Sequence, residues 1–173
     1  MIDIVEILKY TLPLLVVFAI AYLMIKTLIE NDQQKRKFET QAQNHKIVTP
    51  IRLQAYERLI LFIERISPEL MIKRVIRPGM TSKHLQHQLI DNISSEYEHN
   101  LSQQIYVSIP TWDTIKSAKN NVILLINSVA GKIRPEAPAI ELSKLLLEVL
   151  AKVEKSPTAN ATELIKKEMT QFF

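Results

Sequence analysis

Lys9-Tyr10-Thr11-Leu12-Pro13-Leu14-Leu15-Val16-Val17-Phe18-Ala19-Ile20-Ala21-Tyr22-Leu23-Met24-Ile25-Lys26 sets an uncharged run between two lysines. Extended through the aliphatic lysine stems, the apolar segment reaches from Ile7 to Ile29. That is close to the roughly 20 residues that cross about 30 Å of hydrocarbon at about 1.5 Å per residue. Tyr10, Leu12, Leu14, Val16, Phe18, Tyr22 and Ile25 are the membrane-span residues of this reading. The lysines snorkel to the two interfaces, and Tyr10 and Tyr22 sit near the ends, where amphipathic rings are favoured. Pro13 falls in the first buried turn, where a helix tolerates it best. A helix buried in a soluble core would keep a polar stripe, and Leu12 to Ile25 has none. A cleaved signal peptide wants a basic start and a small-residue cleavage site, whereas the chain reads Met-Ile-Asp-Ile-Val-Glu and then Thr27-Leu28-Ile29-Glu30. Residues 1–30 are therefore expected to be a retained signal-anchor helix.

The flanks orient it. Lys9 precedes the span, while Lys26, Lys35, Arg36, Lys37, Lys46 and Arg52 follow it. Lysine and arginine mark the cytoplasmic side, so the amino terminus is expected outside and the remainder inside, on a cell inner membrane. The absence of cysteine agrees with a reducing compartment. Asn-x-Ser/Thr triplets at Asn92, Asn100 and Asn160 are then chance matches. Between Lys35 and Arg77 ten basic residues face four acids, and from Pro78 onward the signs balance. Anionic headgroups attract such a juxtamembrane segment, so Lys26, Lys35, Arg36 and Lys37 are the lipid-facing basic residues. Nucleic acid is a poor match, because acids interleave as Glu57-Arg58 and Glu64-Arg65 and aromatic residues are few.

Beyond the span, two glycines in the whole chain leave no material for a phosphate-cradling loop or a dinucleotide fingerprint. Frequent Leu, Ile, Lys, Glu and Gln, without alternating strand-like runs, predict an all-α protein: one N-terminal transmembrane helix, then a cytoplasmic multi-helix bundle. Residues 31–48 are polar and extend the membrane helix as a stalk, and residues 49–173 form the helical domain. Thr49-Pro50 and Ser67-Pro68 each pair a cap with a first-turn proline and so predict helix starts. The first helix carries Leu53, Tyr56, Leu59, Ile60, Ile63 and Ile66 inward; the second stops at Arg77-Pro78-Gly79. Thr81 or Ser82 caps a third, with Leu85, Leu89, Ile93, Tyr97, Leu101 and Ile105 on its inner face. A fourth runs from Trp112 past Val129 to Gly131, a candidate C′ residue, with Trp112 as a core anchor. Another spans about Ala139 to Glu154 with Val153 inward, and a last short one carries Leu164, Ile165 and Phe172.

Chemistry-bearing constellations are thin. His84, His87 and Asp91 share a helical face, and Glu96-x-x-His99 is half of a di-iron motif that needs a second copy and two facing glutamates. No nucleophile elbow and no activated serine stand out. The expectation is a non-enzyme with no catalytic, cofactor or metal residues and no small-molecule substrate. Leu142, Leu146, Leu147 and Leu150 form the candidate partner surface, since Leu145-Leu146-Leu147 exceeds what one buried stripe requires. That surface would take an unknown protein partner or a second copy.

Leu53-Gln54-Ala55-Tyr56-Glu57-Arg58-Leu59, Phe62-Ile63-Glu64-Arg65-Ile66-Ser67-Pro68 and the Trp112–Asn127 segment resemble a family of uncharacterised small membrane-anchored helical proteins from Bacteroidetes. The resemblance implies an anchored helical architecture and assigns no catalytic residue. The expected role is a membrane-tethered adaptor or assembly component. A structural stalk like the b subunit of a rotary ATP synthase is the alternative, and a helical-bundle enzyme comes third.

Overall fold

The computed structural model describes residues 4–153 and 155–171, apart from the side chains of residues 4–8, 10, 40–42, 44 and 45. Among them are six α-helices and one 3-10 helix, and no named strand. The first helix, α1, runs Ile4–Arg65, 62 residues. The chain divides into two compact units, Met1–Thr49 and Pro50–Phe173, and the boundary falls within α1.

Thr49-Pro50 does not start a new helix, which corrects the expectation from the cap-plus-proline signal. Proline removes one N–H and crowds the carbonyl four residues back, but both penalties are local. The turns beyond it are held by packing: Ala55, Tyr56, Leu59, Phe62, Ile63 and Ile66 repeat at helical spacing and are all buried. Burying side chains of the larger sizes contributes about 1.5–3 kcal/mol each.

At Ser67-Pro68 the chain does break, and α2 occupies Pro68–Val75, with the Ser67 carbonyl accepting from the N–H groups of Leu70 and Met71. Arg77-Pro78-Gly79-Met80 then makes a turn, Met80 N–H to Arg77 carbonyl at 3.3 Å, with Gly79 at φ +79°. Proline second and a left-handed glycine third are the residues that a type II turn selects. Helix α3, Ser82–Asn100, starts at Thr81, whose hydroxyl accepts from His84 N–H at 3.3 Å.

The 3-10 helix Leu101–Tyr106 follows, and here Leu101 and Ile105 depart from the expected inner face. Both are exposed, Ile105 at 74%. Tightening from 3.6 to 3.0 residues per turn rotates an every-fourth-residue stripe off its face. Helix α4, Ile109–Ala130, begins at Ser108, and Gly131 closes it in right-handed rather than left-handed geometry. The Arg134–Pro138 linker is pinned to the start of α3 by Ser82 N–H to Ala137 carbonyl at 2.7 Å and Ala139 N–H to Met80 carbonyl at 2.9 Å.

Helix α5 covers Ala139–Ala151, so Val153 lies beyond its end and is exposed rather than inward. Glu154 and Phe172 lie outside the described residues. Helix α6, Ala159–Thr170, docks through Ala161, Ile165 and Glu168. Within the second unit α3 packs on α2, α4 and α5, and α4 also packs on α5 and α6.

Candidate functional site: an uncovered apolar segment and the surfaces of the second unit

The segment Thr11–Glu39, 29 residues, is long and apolar enough to cross a membrane, and its most apolar window has no buried residue. Leu12, Leu14, Val16, Phe18, Tyr22 and Ile25 are each at least half exposed, with Phe18 at 73%. The Tyr10 side chain lies outside the described ones. Polar atoms in the segment are handled locally: Thr27 Oγ1 meets the Leu23 and Met24 carbonyls at 2.7 and 2.9 Å, one or the other accepting its proton. That is what a hydroxyl needs where water is scarce. Lys26, Lys35, Arg36 and Lys37 are exposed, and Arg36 pairs with Asp32 one turn back at 2.9 Å.

The proposed partner surface on α5 looks different in space. Leu142 and Leu146 are fully buried and Leu150 nearly so, all in the core of their own unit. Leu147 alone of the four reaches solvent. The triple leucine spans the inner face, its flank and the outer face of one helix: Leu146 is buried, Leu145 half-buried and Leu147 exposed. His84, His87 and Asp91 are exposed on α3. Glu96 is taken by Arg65, whose Nη1 donates to both carboxylate oxygens at 3.0 and 3.2 Å. Among the described residues no three potential metal ligands converge.

Two features have no counterpart in the sequence reading. The first is a buried carboxylate. Glu168 of α6 accepts from Tyr56 Oη of α1 at 3.0 Å, from Ser108 N–H at 2.8 Å, from Ser108 Oγ at 2.7 Å and from Thr111 Oγ1. It thus caps the N-terminus of α4, where the helix dipole favours negative charge. Burial pushes the Glu168 carboxyl up, but the Thr111 and Ser108 hydroxyls, the Ser108 N–H and the Tyr56 hydroxyl together bring it below its ordinary value. Burial and the Glu168 bond hold the Tyr56 phenol above its ordinary value. The one available signal was Glu168 itself, an acid on the same helical face as Ala161 and Ile165.

The second is a groove of about 440 Å³ between the α1 face bearing Arg58, Leu61 and Arg65 and the α3 face bearing Asn92, Ser95 and His99. Beside it Tyr97 packs against Phe62, centroids 6.1 Å apart, and stacks on Trp112 at 5.7 Å and 25°. Lys119 Nζ lies 4.3 Å from the Tyr97 centroid. Trp112 is an anchor of the core, as expected.

The sequence profile of a family of unknown function (DUF7935) matches residues 2–172, and the chain belongs to that family. No curated protein and no solved structure matches the chain.

Proposed function

We propose that this member of a family of unknown function is a single-pass membrane adaptor, non-enzymatic, that holds a partner protein at the cytoplasmic face of the inner membrane. One observation carries the reading: among the described residues, the helical window apolar enough to cross a membrane has no buried residue. Apolar area left in water costs about 25 cal/mol per Å², and the length of the segment suits a bilayer. The basic residues that follow it, against Lys9 before it, support an outside amino terminus and a cytoplasmic second unit. Anionic headgroups are the natural counter-charge for Lys26, Lys35, Arg36 and Lys37. Tethering gives a weakly binding helical module a high effective concentration near its target, which is the physical use of such an anchor.

Alkaline carbonate washing of vesicles tests the anchor, with the protein expected to stay in the pellet. A carboxy-terminal reporter tests the orientation, with signal expected only from the cytoplasm. Extraction by carbonate, or a reporter active only outside, overturns the proposal.

The unbroken 62 residues of α1 favour a second reading, a structural stalk in a membrane complex. Against it stand the breaks at Pro68, Pro78, Pro110, Pro135, Pro138 and Pro157, after which short helices share one core. Small-angle scattering on residues 49–173 separates the two. A radius of gyration near the roughly 14 Å of a compact domain of that length supports the adaptor, and a rod supports the stalk.

A further inference from the structure

We propose that the groove between α1 and α3 is the docking site of the adaptor, and that its occupant is an acidic, amphipathic helical segment of a partner protein. The inference rests on the adaptor reading and names the chemistry of the partner. Arg58 and Arg65 stand two turns apart on one face of α1, about 10.5 Å along the axis, with exposed Leu61 between them and Phe62 behind it. The facing wall repeats the spacing: Asn92, Ser95 and His99 sit at helical i, i+3 and i+7.

The groove carries two arginines against one acid. Its single acid, Glu96, is spent on Arg65. Arg58 has no ion-pair or hydrogen-bond partner among the described residues. Arg74 adds positive charge at the Arg65 end, where its Nη2 donates to the Arg65 carbonyl. On the α3 wall, side-chain donors are already turned inward: Asn92 Nδ2 to the Gln88 carbonyl at 2.7 Å, Asn100 Nδ2 to the Glu96 carbonyl at 2.8 Å, and His99 Nδ1 to the Ser95 carbonyl at 2.7 Å. A carbonyl only accepts, so His99 donates through Nδ1.

Apart from Glu96, which Arg65 engages, the wall facing the arginines carries no carboxylate, so it supplies none for Arg58. A helix laid along the groove with acids two turns apart and an apolar residue between them meets the Arg58 guanidinium, the Arg65 nitrogens that Glu96 leaves open, and Leu61 in one register. Opposite charge in a groove of this kind sets register and partner choice more than it sets raw affinity.

The test uses the full-length protein in detergent and a fluorescent helical peptide with two glutamates two turns apart and leucines between them. A companion peptide carries lysine in place of glutamate. The acidic peptide is expected to bind with an affinity that falls as salt rises. Arg58→Glu is expected to weaken it by about tenfold or more and to restore binding of the lysine peptide. Leu61→Asp should weaken both pairings, and Ile140→Asp, on exposed α5 surface, neither. Unchanged Trp112 emission certifies that each variant is folded.

No binding of the acidic peptide, equal binding of the two peptides, indifference to Arg58→Glu, or full competition by inorganic phosphate overturns the proposal. Copurification from cells separates it from the adaptor reading. If Arg58→Glu keeps every partner of the wild type, the groove is wrong and the adaptor stands. If the peptide binds but the wild type copurifies with nothing, the groove stands and the adaptor fails.

Discussion

Glu168 is the residue on which three helices of the second unit converge. Its four donors come from α1, from the residue that starts α4 and from α4 itself, so one carboxylate ties α6 to both. Glu168→Gln keeps the shape but replaces one acceptor oxygen with a donor, leaving a hydroxyl or N–H unmatched. The expected cost is about 1–3 kcal/mol, read as a lower urea midpoint in Trp112 fluorescence. Trp112 is the sole tryptophan and is buried, so the signal reports the second unit.

The pH dependence follows from the same site. The folded carboxyl lies below its ordinary value near 4.5, so its contribution is fully present above that pH and is lost as pH falls through the folded value. Tyr56 lies above its ordinary 10.0, so its contribution is present below pH 10 and is lost as pH rises beyond. The contribution of this pair should be constant between the two limits, and Glu168→Gln should reduce the acid limb measured by Trp112-monitored unfolding. Sequence pattern had no access to this site. An acid on a helix announces neither its burial nor the hydroxyls that a distant segment will bring to it.

Individual helices were far more legible. Periodic Leu, Ile and Val located the buried faces of α3, α4 and α5, and Thr81 or Ser82 located the start of α3, whereas α4 begins at Ser108, ahead of the Trp112 from which it was expected. At Pro50 a local signal loses to packing. Pro50 marks a helix start that the chain overrides, because the apolar residues from Ala55 onward hold the turns that follow. Pro50→Ala restores the missing backbone donor and should raise amide-exchange protection over residues 46–54 while leaving the fold intact.

The triple leucine of α5 divides between two sides: Leu146 lies in the core of its own unit and Leu147 on the surface, the side that the sequence expectation leaves to a second chain. Leu146→Ala should cost about 2–5 kcal/mol, while Leu147→Asp should change stability by no more than about 0.5 kcal/mol. Both are read from denaturant unfolding. Removing residues 139–173 would take out core leucines, so its effect on partners would report unfolding rather than a lost contact.

For the molecule as a whole, composition and hydropathy carried the most information. The uncovered segment was readable because a stretch so apolar has few solutions, and a bilayer is the simplest. Val16→Arg, near the middle of that segment, should raise the apparent insertion free energy by roughly 2.5–3.5 kcal/mol, measured as the inserted fraction in a translocon assay. The recognition chemistry of the second unit was not readable, since a groove exists only once α1 and α3 have been laid side by side. One consequence concerns how the protein is made. Tyr56 and Glu168 are 112 residues apart, and at about 5–20 residues per second the ribosome needs roughly 6–22 s to travel between them. Throughout that interval the greasy face of α1 past Ala55 has no cover from α6. A nascent chain in that state is an obvious client for a chaperone.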